Sequence, residues 1–314
     1  MNGPMLRALI LSLALASPAG AFELAWPVEC TLGDTCYIQH YVDRDPGPGT
    51  KDFTCGTLTY DGHDGTDIGL PNAAAMAQGV TILAAVPGTV LGTRDDIADF
   101  VPPVAGKECG NGVLVDDGDG WQTQYCHMKQ GSVSVRKGDR VDIGTPLGQI
   151  GQSGAAEFPH LHLTVRHNGQ PVDPFAPDQT TCGVSNGPGL WAKPLPYQPG
   201  GFLAAGFTTE VPTFDGIRAG MPDAAIPANA PALVVWAEVY GGRAGDSVTF
   251  SAAAPDGSAI IAGSADLTRN QDQLFRALGT KLHAALPSGT YVGTAILMRQ
   301  GSEVDRITTR VTVP

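Results

Sequence analysis

From Phe158 to Val165 the chain reads Phe-Pro-His-Leu-His-Leu-Thr-Val, and beyond the proline its polar and apolar residues alternate strictly. A β-strand turns successive side chains to opposite faces, so the pattern predicts Leu161, Leu163 and Val165 against a core and His160, His162 and Thr164 on the other side. Two imidazoles on one outward face add nothing to packing. They are either plain surface histidines or a metal-binding or catalytic pair, and so short a motif leaves both readings open.

Two further stretches bear on that choice. His63 and Asp67, within Tyr60 to Leu70, are four residues apart and share a face in a helix or a strand. Gly62, Gly65 and Gly69 disfavour a helix, which predicts a loop running into a strand. A His and an Asp on one face supply two of the three protein ligands of an open zinc site; the plain alternative is an Asp-Gly turn with an incidental histidine. The third stretch is Tyr125-Cys126-His127. If Asp117-Gly118 is a two-residue type I′ turn, Cys109 falls opposite Cys126, within reach of a cross-strand disulfide. Such a bond would hold His127 rigidly, as a catalytic group requires.

The remaining cysteines are read in the same way. Six of them without any Cys-x-x-Cys pair indicate disulfides in an oxidising compartment rather than a structural zinc site. Cys30 and Cys36 flank a small turn at Gly33-Asp34 and are expected to pair, and a Cys55–Cys182 bond is expected as well. The N-terminus agrees with export: Arg7, an apolar run from Ala8 to Ala16, a break at Pro18, and Ala19-Gly20-Ala21 read as a signal peptide over 1–21. The protein is expected in the periplasm or outside the cell, and no later run approaches the length of a membrane helix. A net charge of −12 argues against nucleic acid or an anionic membrane as partner. A monomer is favoured.

With 41 Gly, 25 Pro and only 16% charged residues, the chain favours turns and short strands, hence an all-β fold. The expected organisation is a disulfide-stapled arm over 22–55, a chemistry-bearing domain over 56–182, a Gly/Pro-rich connection over 183–231, and a small β-sandwich over 232–314. Arg94 to Lys107 reads as an inserted loop and Asn168-Gly169 as a hairpin turn. The stretch 270–286 reads as a short helix or an extended loop, and His283 has no partner nearby in sequence.

Taken together, His63-x-x-x-Asp67, Tyr125-Cys126-His127 and His160-x-His162 occur in the order and approximate spacing of the lysostaphin/LytM-type zinc endopeptidases, which this chain resembles from about Gly56 to Pro174. The resemblance implies an antiparallel β-sheet catalytic domain and one Zn2+ held by His63, Asp67 and His162. His127 and His160 would act on the water and the developing oxyanion. It further implies hydrolysis of peptide bonds in peptidoglycan, with Phe158 and Tyr125 as candidate substrate contacts. The alternatives are a non-catalytic wall-binding or hydrolase-activating protein of the same fold, and a secreted protease acting on Gly-rich proteins. The chain departs from the family at Cys126, usually Ala; at Phe158, usually Gly; at Thr164, often Glu; and in the Arg94–Lys107 insertion. Phe158, Thr164 and the insertion are where specificity is expected to differ.

Overall fold

The computed structural model describes residues 22–183, 187–222 and 225–314. The stretch read as a signal peptide, 1–21, lies outside the described residues. The first module contains β1 (Tyr37–His40), β2 (Thr66–Gly69), α1 (Ala73–Gln78), β3 (Thr81–Leu83), β4 (Gly88–Arg94), β5 (Asn111–Gly118), β6 (Trp121–Met128), β7 (Arg140–Val141), β8 (Pro146–Gln149), β9 (His160–His167) and β10 (Gln170–Val172). Eight of these strands form one antiparallel sheet in the order β1-β2-β9-β6-β5-β4-β7, with β10 also on β9. β3 and β8 pair separately.

Alternation gives the sheet its two faces. Ile38, Ile68, Leu161, Leu163, Val165, Tyr125, Val113 and Val115 lie in one buried cluster. Each aliphatic side chain taken fully out of water there contributes roughly 1.5–3 kcal/mol. His160, His162 and Thr164 stand on the opposite face of β9. The Asn168-Gly169 turn closes the β9–β10 hairpin, with φ of 51° and 79° and His167 paired to Gln170.

The β5–β6 hairpin differs from expectation. Its turn is Asp119-Gly120, with Gly118 opposite Trp121, rather than Asp117-Gly118. Both turn residues have positive φ, 49° and 81°, and the two Asp-Gly steps lie so close in sequence that local chemistry does not choose between them. The shift removes Cys109 from the position opposite Cys126, yet the two are bonded, because the chain folds back at Gly110 (φ 61°) and brings Cys109 alongside.

Cys30–Cys36 and Cys55–Cys182 are bonded as well. The latter joins residues 127 apart. Removing so long a cross-link should cost about 2–5 kcal/mol through freedom regained by the unfolded chain. A Cys55→Ser/Cys182→Ser protein is therefore expected to melt lower by roughly 5–15 °C in scanning calorimetry.

The second module has its own buried cluster, which includes Phe207, Val235, Val239, Phe250, Tyr291 and Leu297. It comprises β11 (Gly201–Thr208), α2 (Phe214–Ala219), β12 (Ala232–Gly242), β13 (Ser247–Ala253), β14 (Ala259–Asp266), β15 (Gln271–Lys281), β16 (Gly289–Arg299) and β17 (Ser302–Val313). The strands form a three-stranded sheet, β11-β12-β15, and a four-stranded one, β14-β13-β16-β17. The segment expected as a helix or loop is the eleven-residue strand β15, paired with β12 from Gln271 to Lys281. Its helix-forming Gln, Leu, Arg and Ala residues are overridden by that pairing. The stretches outside the two sequence-defined modules also contribute strands: 22–55 supplies β1 and 183–231 supplies β11.

Candidate metal centre and active site

One row of cross-strand neighbours defines the site. The register places His40 of β1 opposite Asp67 of β2, Asp67 opposite His162 of β9, and His162 opposite Cys126 of β6. All four lie on the face away from the core. His63, in the loop before β2, turns its ring into this row.

His63, Asp67 and His162 converge. His63 Nε2 lies 3.2 Å from Asp67 Oδ1 and 3.1 Å from His162 Nδ1, and His162 Nδ1 lies 2.8 Å from the same oxygen. Ligands bound tetrahedrally at about 2.0–2.1 Å from zinc stand about 3.3 Å apart, close to these separations. The remaining ring nitrogens indicate the tautomers. His63 Nδ1 donates to the Tyr41 carbonyl (2.7 Å), leaving Nε2 as the free donor atom. His162 Nε2 lies 3.0 Å from Thr164 Oγ1 and 3.2 Å from Asp64 Oδ1, leaving Nδ1 to face the site. Two imidazole nitrogens and a carboxylate aimed at one point suit a divalent metal, with a proton on His162 holding the set together in its absence. Gly65 makes room for the His162 ring: a Cβ there would lie 2.6 Å from its Nε2.

His127 and His160 stand beside this set, their ring centroids 4.6 Å apart. His127 Nδ1 donates to Ser153 O and His160 Nδ1 to Phe158 O, each at 2.8 Å, which frees both Nε2 atoms. His160 Nε2 lies 3.6 Å from Asp67 Oδ1. His127 reaches this face through an irregularity. Between Tyr125 and Met128, both in the core, β6 spends three residue steps where β5 spends two, from Val113 to Asn111. This bulge, with His127 at φ 60°, turns a residue of core parity outward. The His127 N–H donates to the Cys109 carbonyl (2.8 Å), so the Cys109–Cys126 bond anchors the bulge.

Electrostatics follow from crowding in a buried place. Burial works against the Asp67 carboxylate, but the surrounding His63, His160, His162 and His40 hold its carboxyl well below the usual range. Burial, with the neighbouring His160 and His162, pushes His127 far down. Burial also takes His160 to about 4, so both assisting imidazoles are neutral at pH 7. Burial opposes charge on His162 too, but Asp64 and Asp67 outweigh it and raise the group to about 9. A metal must displace that proton. Zinc affinity is therefore expected to rise about tenfold per pH unit from pH 7 and level off near 9, as read by chelator competition at a series of pH values.

Two expected roles need correction. Tyr125 is fully buried and its hydroxyl accepts the Ala85 N–H (2.8 Å), so it lies inside the sheet and touches no cleft. Its parity with Val113 across the hairpin puts it on the core face. Thr164 is buried and bonds the far nitrogen of His162, so it supports a ligand rather than lining a substrate path. Phe158 is half-buried and stacks on His160 at 4.3 Å, at the mouth of the site.

Three residues were not legible beforehand. Asp64, beside His63, reaches His162 and Arg166. Tyr60, 49% exposed, packs on the His63 ring at 4.5 Å. His40 is buried, with Nδ1 3.0 Å from Asp67 Oδ2, the oxygen turned away from the other two ligands. That bond fixes the carboxylate so that Oδ1 faces the centre. Loss of such an outer partner typically costs 10–100-fold in metal affinity. His40→Ala should show a drop of that size in zinc affinity by competition titration, with His40→Asn recovering part of it.

The site is thus a buried His/Asp/His set that could hold a metal ion, with two neutral imidazoles alongside, mounted on an antiparallel sheet. Residues 61–174 match the model of Peptidase family M23. Among curated relatives, Cell division protein DipM of Caulobacter vibrioides is 31% identical over 118 residues, 36% of this chain and 17% of that protein. Peptidoglycan DD-endopeptidase ShyA of Vibrio cholerae is 32% identical over 111 residues, 35% of this chain and 22% of its own length. The matches thus span about a fifth of these relatives. Among solved structures, the catalytic domain of the prophage-encoded M23 protein EnpA from Enterococcus faecalis aligns with 51% of this chain and 98% of its own, at 25% identity and a TM-score of 0.34. The lysostaphin catalytic domain from Staphylococcus simulans aligns with 43% and 85%, at 21% identity and a TM-score of 0.29.

Proposed function

We propose that this chain is an exported zinc endopeptidase that hydrolyses peptide bonds in bacterial cell-wall peptidoglycan. The observation that carries the reading is the convergence of His63 Nε2, Asp67 Oδ1 and His162 Nδ1 on one point, beside the free Nε2 atoms of His127 and His160. These three residues would hold the ion. Zinc, when bound there, supplies Lewis acidity toward the scissile carbonyl and lowers the pKa of a water toward about 7.

The protein's own groups do the rest. Neutral His127 and His160 present acceptors at Nε2 that can take a proton from the attacking water; as imidazoliums they donate to the carbonyl oxygen as charge develops and then to the departing amine. Their Nδ1–H bonds to Ser153 and Phe158 fix both rings for that exchange. Export is supported by the leader-like 1–21 and by three disulfides. Among the described residues no helix is long and apolar enough to cross a membrane.

The test incubates wild type and His63→Ala with purified peptidoglycan and with a Gly-rich protein, with and without chelator, and identifies products by mass. Chelator-sensitive wall fragments from wild type alone are expected. Equal product from both proteins overturns the zinc assignment. Cleavage of the protein substrate alone changes the substrate, and a zinc-loaded wild type that cleaves neither supports a wall-binding role.

A further inference from the structure

We propose that the cavity between the two modules is a substrate subsite for a carboxylate-bearing peptide, recognised by Arg218 and Arg269. The inference rests on the peptidase reading only for the origin of that peptide. The cavity measures about 350 Å³ and is bounded by His40 and Phe158 of the first module and by Arg218, Arg269 and Gln271 of the second. It adjoins the site across two shared side chains: Phe158 lines it and stacks on His160, while His40 lines it and holds Asp67.

Its walls are tied together. Gln39 Nε2 donates to the Asp272 carbonyl (3.2 Å) and Gln273 Nε2 to the Tyr37 hydroxyl (2.6 Å), so β1 and the start of β15 are bonded side by side. Arg218 donates to the Glu157 carbonyl and lies 5.7 Å over the Phe214 ring, which holds the guanidinium at the rim. The sandwich therefore forms one wall of the cleft.

The charges indicate what enters. Among the described residues neither Arg218 nor Arg269 forms an ion pair; the arginines that do are Arg166, Arg299 and Arg306. Of the carboxylates lining the cavity, Asp272 is turned to His40 Nε2 at 3.6 Å, and Glu157 forms no ion pair among the described residues. A guanidinium at the edge of a partly dehydrated cleft presents forked donors that match a carboxylate, and the Gln271 amide beside it suits a peptide backbone. A peptide whose scissile bond lies over His160 has this cavity next in line.

The test is calorimetric binding to the full chain in chelator, where no turnover accompanies binding. The probes are a synthetic stem peptide with its side-chain and terminal carboxylates free and the same peptide fully amidated. Wild type is expected to prefer the free acid about tenfold at low salt, Arg269→Gln to lose most of that preference, Arg218→Gln/Arg269→Gln to bind both equally, and Arg269→Lys to keep more of it than Arg269→Gln. Melting curves check that the variants are folded. Equal affinities in wild type overturn the subsite, as does an unchanged preference in Arg269→Gln. Hydrolysis with zinc restored is read separately: a wild type that prefers the free acid yet cleaves nothing overturns the peptidase reading and leaves the subsite standing.

Discussion

His162→Ala is expected to give a folded protein that retains no zinc after dialysis and releases no fragments from peptidoglycan. In the proposed centre the ring supplies one of three protein ligands, with Asp67 and His63 at 2.8 and 3.1 Å from its Nδ1. Losing one of three ligands should weaken zinc binding by about 10³-fold or more. The fold should survive, because Leu161 and Leu163 on either side face the core while His162 faces outward. Metal analysis by mass spectrometry, a melting curve and product release check the three parts. A variant that keeps its zinc would move the ligand assignment elsewhere.

His127→Asn separates metal binding from proton handling. Asparagine tolerates the positive φ that His127 adopts, so the bulge and the N–H bond to Cys109 are expected to persist. What is lost is the neutral Nε2 to which the proposed mechanism assigns proton transfer. Removing a positioned acid–base group lowers the rate by about 10²–10⁴-fold. The expected result is a kcat reduced by that factor with zinc stoichiometry and melting temperature near wild type. A variant with normal kcat would leave His160 as the sole assisting histidine. One that lost its zinc would show that His127 supports the centre instead.

These two variants also mark the boundary between local and tertiary information. The alternation around His160 and His162 specifies a one-faced strand, and in the structure His162 sits with Leu161 and Leu163 on opposite sides of β9. The spacing of His63 and Asp67, read with the three glycines among them, specifies a loop entering a strand with both side chains able to meet. Those readings depend only on the two-residue period of a strand, which any short stretch carries within itself.

The period fails wherever the chain inserts a residue. His127 has the parity of Tyr125 and His40 the parity of Ile38, yet Tyr125 and Ile38 are core while both histidines face the site. Each is turned by a bulge, and a bulge is set by the partner strand's pairing rather than by its own sequence. The same cause explains Cys109–Cys126, where the expected register was displaced and the bond formed through a fold-back at Gly110. It explains Tyr125 too, whose side was decided by Val113 across the hairpin.

The sequence by itself therefore determined the chemistry on offer: histidines and an aspartate at strand spacing, an all-β chain and six cysteines in even number. Only the tertiary structure decided which strands lie side by side. That order brought His40 to the outer oxygen of Asp67, put Asp64 against the far nitrogen of His162, and set the β14–β15 end of the sandwich against the cleft. Strand order and register join residues such as His40 and Asp272, far apart along the chain, and no local pattern encodes that distance.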